Sequence, residues 1–262
     1  MNVLLIGILS VTVVGIICAV VLSVASKLMY VHVDERIDQV RDCLPGANCG
    51  ACGYAGCDGY AAAVVADESV SLSLCTPGGN DVVKSIGAVL GREGGVVEPK
   101  IAVIRCKGDH SVTSDKMIYE GIEGCTAAKL LFGGVGKCTF GCMGLGDCVK
   151  ICPHQAIYLK NGIAHVDPGL CIGCGICEKA CPNHLIAILP ESAKTQVLCS
   201  NMEKGAAVRK SCSAGCIGCG KCAKVCPSNA VVIKNNLAYV DHKKCVNCGN
   251  CRDACPMHCF DK

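Results

Sequence analysis

The chain has 262 residues, of which 27 are cysteine and 31 glycine, and it contains no tryptophan and only three phenylalanines. This composition excludes a conventional aromatic-rich core, and the length and the cysteine spacing argue against a small secreted disulfide scaffold. A formal net charge of +3 says little about partners by itself. No nucleic-acid partner is expected.

The first 26 residues contain no charged side chain. A helix over Val3–Ala25 would span ~35 Å, enough to cross a hydrocarbon core of ~30 Å. A cleaved signal peptide is the alternative, but no positively charged segment precedes the apolar run, which is also too long for a signal peptide. We therefore predict a single transmembrane helix over residues 1–26.

Lys27, Arg36 and Arg41 follow this helix. The positive-inside rule then places the remaining residues on the cytoplasmic side of the cell (inner) membrane. That compartment is reducing, so free thiols persist there. Residues 27–42 are predicted to form a short helical stalk.

Residues 43–91 are predicted to form a small iron–sulfur module. Its segment NCGACGYAGCDGYA contains Cys49, Cys52 and Cys57, and Cys75 follows eighteen residues later. Glycine at every third position of this segment lets backbone amides approach a cluster closely. A zinc knuckle is the alternative, and a 4Fe–4S cluster is favoured. Residues 92–137 are predicted to be a linker region containing a strand at Lys100–Cys106, and a helix is expected at Asp81–Leu90.

The rest of the chain is an internal repeat with an offset of 74 residues, predicted to be two tandem ferredoxin-like domains at 138–190 and 191–262. In each copy, two apolar runs flank a turn, at Lys160-Asn161-Gly162 and at Lys234-Asn235-Asn236, which predicts a β-hairpin. The fold class expected for the whole chain is therefore α+β, with an amino-terminal transmembrane helix, a four-cysteine module and two two-cluster ferredoxin domains.

Each copy contains the run Cys-x-x-Cys-x-x-Cys-x-x-x-Cys-Pro. In two-cluster ferredoxins the cysteine before proline binds the other cluster. Crosswise assignment predicts two 4Fe–4S ligand sets in the first copy. These are Cys138, Cys142, Cys148 and Cys181, and Cys152, Cys171, Cys174 and Cys177. The second copy has two corresponding sets. These are Cys216, Cys219, Cys222 and Cys255, and Cys226, Cys245, Cys248 and Cys251.

One ligand in the second copy is ambiguous. The repeat makes Cys212 the counterpart of Cys138, whereas ordinary ferredoxin spacing favours Cys219, whose place in the first copy is taken by Leu145. We favour Cys219. Zinc also binds Cys-x-x-Cys pairs, but four Cys-Pro runs related by a duplication favour iron–sulfur clusters.

Twenty cysteines are thus assigned to five clusters, and seven are left over. Four of these flank the ferredoxin copies, where they either form a sixth cluster or are packed free thiols. They are Cys106, Cys125, Cys199 and Cys212.

An uncharged amino-terminal run, the glycine-rich four-cysteine module and ferredoxin repeats, in this order, resemble the B subunits of Rnf complexes. The resemblance implies an electron-relay subunit of a membrane-bound ferredoxin:NAD⁺ oxidoreductase that transports Na⁺ or H⁺. Its implied partners are soluble ferredoxin and the other Rnf subunits (A, C, D, E and G). No NAD⁺ site, flavin site or catalytic residue is predicted in this chain, and shorter family members have one ferredoxin copy rather than two.

Two alternatives stay open at the level of sequence. One is a membrane-anchored polyferredoxin of a hydrogenase or formate dehydrogenase, and the other is a zinc-bearing interaction module without redox function. Between Cys199 and Lys262, ten basic side chains stand against four acidic ones. This excess favours docking of an acidic ferredoxin on the second copy.

Overall fold

The computed structural model describes residues 2–28 and 34–260. Helix α1, Asn2–Leu28, is continuous through the apolar run. Its segment Ile6–Lys27 is long and apolar enough to cross a membrane, and it is not buried against any other described part of the chain. The predicted stalk lies partly outside the described residues, at positions 29–33.

The amino-terminal module consists of α2, Glu35–Cys43, α3, Cys57–Ala66, a 3-10 turn at Leu72–Leu74, and α4, Gly79–Leu90. Helix α4 confirms the helix expected near Asp81–Leu90. The interpretation of α2 as a stalk is wrong, because Val40 is fully buried in the module's core beside Tyr60 and Ile86. Burying one apolar stripe of α2 stabilises the short helix, which is too short to be stable in water alone.

Two short β-hairpins confirm the repeat. In the first domain β2, Ile157–Lys160, pairs with β3, Ile163–Val166, and in the second β5, Val231–Lys234, pairs with β6, Leu237–Val240. Both turn residues have positive φ in each hairpin (52° and 80°, then 48° and 61°), as a type I′ turn requires. Asparagine and glycine tolerate this conformation, which explains their presence in the turns.

A short helix contains the third cysteine of each cysteine run. Helices α6, Asp147–Lys150, and α7, Ile176–Ala180, belong to the first domain, and α9, Lys221–Lys224, and α10, Asn250–Asp253, to the second. Two further helices, α5, Cys125–Lys129, and α8, Gly205–Ser211, precede the domains' first cysteine runs.

The predicted strand of the linker region is confirmed as β1, Lys100–Ile104, and it belongs to the first domain. It pairs antiparallel with β4, Ile186–Pro190, a strand that the sequence did not predict. The pair continues one residue further, where the Arg105 amide donates to the Leu185 carbonyl at 2.7 Å. Residues assigned to a linker therefore complete the first ferredoxin-like domain.

The second domain has a shorter version of this strand pairing. An isolated antiparallel bridge joins Val197 to Phe260, and the Leu198 amide donates to the Cys259 carbonyl at 2.7 Å. Cys106 and Cys199 each come directly after the residue that makes this hydrogen bond, so they occupy equivalent places in the two domains.

The segment after β1 also holds the two domains together. Thr113 bridges Cys212, and its hydroxyl donates to the Ser211 carbonyl at 2.6 Å. The Ser213 amide donates to the Val112 carbonyl at 2.9 Å. Lys107 Nζ donates to the His258 carbonyl, also at 2.9 Å. The two domains consequently share a contact built by residues 105–113.

Candidate iron–sulfur sites

Cysteine side chains are grouped around several small cavities. Zinc binds four ligands directly, with Zn–S bonds of ~2.3 Å, so its sulfurs must lie close together. Among the described residues, no group of three or more His, Cys, Asp or Glu side chains is arranged to hold a single metal ion. A cubane binds its four thiolates through four separate irons, which suits more widely spaced sulfurs.

In the amino-terminal module, Cys57 and Cys75 are buried in the core, and Cys49 and Cys52 are partly buried. The Asn48 side chain accepts a hydrogen bond from the Cys57 amide at 2.8 Å, which fixes the start of α3. Burial raises the pKa of Cys75, and the charges of the other three cysteines raise it further. The four predicted ligands are therefore close enough to interact electrostatically.

In the first domain, one of the two predicted ligand sets lines a single cavity. Its members are Cys152, Cys171, Cys174 and Cys177. The Ala102 amide of β1 donates to Cys171 Sγ, and the Ala156 amide donates to Cys152 Sγ, each at 3.4 Å. This grouping has Cys152 together with the three cysteines of the other run, as crosswise ligation expects.

The other cavity of the first domain has a different fourth cysteine from the expected one. It is lined by Cys142, Cys148 and Cys181, together with Cys125 in place of Cys138. The Leu185 amide donates to Cys181 Sγ at 3.4 Å.

Cys125 is held beside this cavity by Asp147. One Asp147 oxygen accepts from the Cys125 amide at 2.9 Å, and the other accepts from the Thr126 amide at 2.9 Å and hydroxyl at 2.8 Å. Partial burial raises the pKa of Asp147, but these hydrogen bonds outweigh it and hold the pKa below its ordinary value. The carboxylate therefore stays charged and fixes the start of α5.

In the second domain, one cavity is lined by the expected ligand set, which includes Cys219 rather than Cys212. The set is Cys216, Cys219, Cys222 and Cys255. The leftover Cys259 lines the same cavity and is 1 % exposed. The Cys259 thiol donates to the Ala214 carbonyl at 3.3 Å, and the Cys259 amide donates to Cys255 Sγ at 3.5 Å.

The remaining set of the second domain lies nearer the surface. Cys226 and Cys245 are partly buried, Cys251 is buried and Cys248 is exposed. The Ala230 amide donates to Cys226 Sγ at 3.3 Å. This is the counterpart of the Ala156–Cys152 hydrogen bond in the first domain.

A further cavity lies where the two domains meet. Four cysteines line it together with Cys142, and three of them were left over by the sequence. They are Cys106, Cys138, Cys199 and Cys212.

The protonation of the buried thiols supports a cationic ligand. Burial raises the pKa of Cys106, Cys148 and Cys177 to about 12 in each case. Neighbouring cysteine charges contribute to this rise, because several thiolates in one cavity repel one another. Bound iron supplies the positive charge that lets such thiols ionise, so these residues fit iron–sulfur clusters.

Family models match both parts of this arrangement. One described as "Putative Fe-S cluster" matches residues 44–77. Another, described as "4Fe-4S dicluster domain", matches residues 137–184, 170–230 and 215–259.

Curated relatives match nearly the whole chain. The B subunit of the proton-translocating ferredoxin:NAD(+) oxidoreductase complex of Clostridium ljungdahlii is 46 % identical over 92 % of this chain and 85 % of its own length. The B subunit of the Na(+)-translocating ferredoxin:NAD(+) oxidoreductase complex of Acetobacterium woodii is 37 % identical over 94 % of this chain and 74 % of its own length. The B subunit of the ion-translocating oxidoreductase complex of Methanosarcina acetivorans is 38 % identical over 88 % of this chain and 87 % of its own length.

Proposed function

The chain belongs to the family of B subunits of ion-translocating ferredoxin:NAD⁺ oxidoreductase complexes, the Rnf complexes, and from this premise we propose that it relays electrons from reduced ferredoxin to partner subunits. Each bound 4Fe–4S cluster takes up and releases one electron. The alternative of a polyferredoxin for a hydrogenase or formate dehydrogenase is disfavoured by the names of these relatives. The zinc-module alternative is disfavoured by the iron–sulfur family models that match residues 44–77 and 137–259.

The observation that supports the proposal most directly is the succession of cysteine-lined sites along the molecule. Lys179 of α7 donates to the Cys49 carbonyl at 3.4 Å, so the amino-terminal module contacts the first ferredoxin-like domain beside Cys174 and Cys177. Helices α6 and α7 are in contact within the first domain, and α9 and α10 within the second. In chain order, the sites run from the amino-terminal module with Cys49 to the second domain, where Cys248 is exposed.

The protein's own contribution is to hold the thiolates and to set their surroundings. Backbone amides donate to ligand sulfurs in both domains, as at Cys171, Cys181 and Cys226. Such N–H···S hydrogen bonds stabilise the additional negative charge of a reduced cluster and so raise its reduction potential. Burial acts in the opposite direction, because it disfavours the more highly charged reduced state.

The proposal includes a membrane-bound orientation. We place α1 across the inner membrane as a single span, with residues 27–262 in the cytoplasm, because Lys27, Arg36 and Arg41 all follow the apolar segment. In this orientation α1 leads directly to the four-cysteine module. The proposed recipients of the electrons are the other Rnf subunits (A, C, D, E and G), where NAD⁺ reduction and Na⁺ or H⁺ transport take place.

Soluble ferredoxin is proposed to dock near Cys245 and Cys248. Lys243 and Lys244 are exposed beside this site. Lys244 lies 3.9 Å from Asp241, a distance at which an exposed pair stabilises little, so its charge stays available to a partner. Positive charge there increases the encounter rate with an acidic ferredoxin.

The proposed relay is tested by mixing the full-length, cluster-containing chain in detergent with a chemically reduced two-cluster ferredoxin. The proposal predicts rapid bleaching of the chain's visible cluster absorbance, followed by reoxidation when the partner subunits and NAD⁺ are added. A chain that contains its clusters but stays oxidised beside reduced ferredoxin would contradict the proposal.

A further inference from the structure

We propose that Cys106, Cys138, Cys199 and Cys212 bind a sixth 4Fe–4S cluster between the two ferredoxin-like domains. Cys125 then takes the place of Cys138 as the fourth ligand of the neighbouring site in the first domain. This inference deepens the proposed electron relay and rests on it. It assigns 24 of the 27 cysteines to six clusters.

The cavity between the domains is larger than the cavities at the predicted cluster sites. Its volume is about 40 Å³, against about 20, 20 and 10 Å³ for the three cavities at the predicted cluster sites. Cysteines from both domains meet at its wall near Gly108. A Cβ built on Gly108 would lie 3.4 Å from Cys106 Sγ and 3.7 Å from Cys212 Sγ.

The four cysteines are two equivalent pairs, one from each copy of the repeat. Cys138 and Cys212 are 74 residues apart, which is the repeat offset. Cys106 and Cys199 are equivalent by their hydrogen bonds, as a cysteine amide of the neighbouring site donates to each. These bonds are Cys142 N–H to Cys106 Sγ at 3.4 Å and Cys216 N–H to Cys199 Sγ at 3.3 Å.

Polar groups inside the cavity are directed at the sulfurs. The Asn201 side chain is 1 % exposed, and its Nδ2 donates to Glu203 Oε2 at 3.2 Å and towards Cys138 Sγ at 3.5 Å. Its own oxygen accepts from the Glu203 amide at 2.7 Å, which fixes the orientation of the side-chain amide. The Gly108 amide donates to Cys106 Sγ at 3.4 Å.

The change of ligand in the first domain has a cause that is visible in the sequence. The second domain supplies Cys219 to its site, and the first domain has Leu145 at this position. The first domain replaces the missing thiolate with Cys125, which Asp147 holds through its hydrogen bond to the Cys125 amide. The second domain needs no such anchor, and Lys221 stands at the position of Asp147.

The proposed site joins the two domains electronically. Amides of Cys142 and Cys216, each a ligand of an adjacent site, contact its sulfurs directly. The step is a single-electron transfer in which one neighbouring cluster is oxidised as this cluster is reduced. No bond is made or broken, and the next neighbour removes the same electron.

Iron and acid-labile sulfide counts on the full-length chain, purified without oxygen, test this site independently of electron transfer. Six cubanes correspond to about 24 irons per chain, and five to about 20. The variants are Cys138→Ala, Cys212→Ala and the combination of both, with Cys18→Ala as a control, since Cys18 is an exposed residue of α1 and is assigned to no cluster.

We expect about 24 irons in the unmodified chain and in the control, and about 20 in each single variant. The double variant should also hold about 20, because both residues bind the same cluster. By contrast, Cys125→Ala combined with Cys212→Ala should hold about 16, because these two serve different clusters. Native mass spectrometry of the unmodified chain gives the cluster number even where a variant fails to fold.

About 20 irons in the unmodified chain would overturn the proposal. So would additive losses in the Cys138→Ala and Cys212→Ala combination, which would return Cys138 to the first-domain site. A chain with 24 irons that ferredoxin does not reduce would instead contradict the proposed function and leave this site intact.

Discussion

The interaction of Asp147 with the start of α5 allows a quantitative prediction. Asp147 accepts three hydrogen bonds from Cys125 and Thr126, at 2.8–2.9 Å. A hydrogen bond to a charged group contributes about 1.5–3 kcal/mol. Thr126 is exposed, so water replaces part of what the Asp147→Ala substitution removes, and we expect a net local loss of about 2–3 kcal/mol. The Cys125 segment should therefore detach roughly 30- to 150-fold more often.

The assay is the rate at which iron passes from the oxidised full-length chain to a colorimetric chelator under anaerobic conditions. Asp147→Ala should release about four irons much faster than the unmodified chain, while the other irons leave at the ordinary rate. Asp147→Asn keeps an acceptor and should be intermediate. Glu178→Ala is the matched control, since Glu178 is an exposed carboxylate in the first turn of α7. Equal release rates in Asp147→Ala and this control would refute the proposed anchoring of Cys125.

Three further predictions follow from ligation, charge and topology. Cys181→Ser should remove the paramagnetic resonance signal of the Cys142 and Cys148 cluster and preserve that of the other first-domain cluster, and the opposite pattern would disprove crosswise ligation. Replacing Lys243 and Lys244 with Glu should slow ferredoxin-driven reduction and flatten its salt dependence, with no change in iron content. As a control, Lys160→Glu, at another exposed lysine, should change neither the reduction rate nor its salt dependence. Protease added to right-side-out vesicles should leave residues 27–262 intact, and digestion of these residues would contradict the proposed orientation.

Features that depend on neighbouring residues were predictable from the sequence. The hairpin turn at Asn161 and its counterpart at Asn235 need positive φ at adjacent positions, and the residue types there permit it. The Cys-x-x-Cys runs likewise follow local spacing rules, and the structure groups Cys152 with the other run as expected. Helix α4 and strand β1 were predictable because their apolar patterns lie within one short segment.

Features that depend on distant residues were missed. Strand β4 exists because β1 pairs with it from more than eighty residues away, and four or five apolar residues do not by themselves indicate a strand. Helix α2 has a polar sequence, and only its contact with the module's core shows that Val40 is buried. Its charged side chains suggested an exposed stalk.

The cysteines of the interdomain cavity illustrate the same limit. Cys106 and Cys212 are brought together by the contact of Thr113 with the second domain, which no spacing rule describes. The repeat contained a usable signal, however. Cys138 and Cys212 occupy the same position in the two copies, which indicates a role that both copies share. Cys219, by contrast, is replaced by Leu145 in the first copy.

The central claim, that this chain is a relay of cysteine-bound cubanes, is tested most directly by a coulometric reductive titration of the full-length chain, followed by electron paramagnetic resonance. We expect uptake of about six electrons per chain, one for each cluster, with signals from magnetically interacting neighbours. A colourless chain that contains zinc and takes up no electrons would contradict this claim.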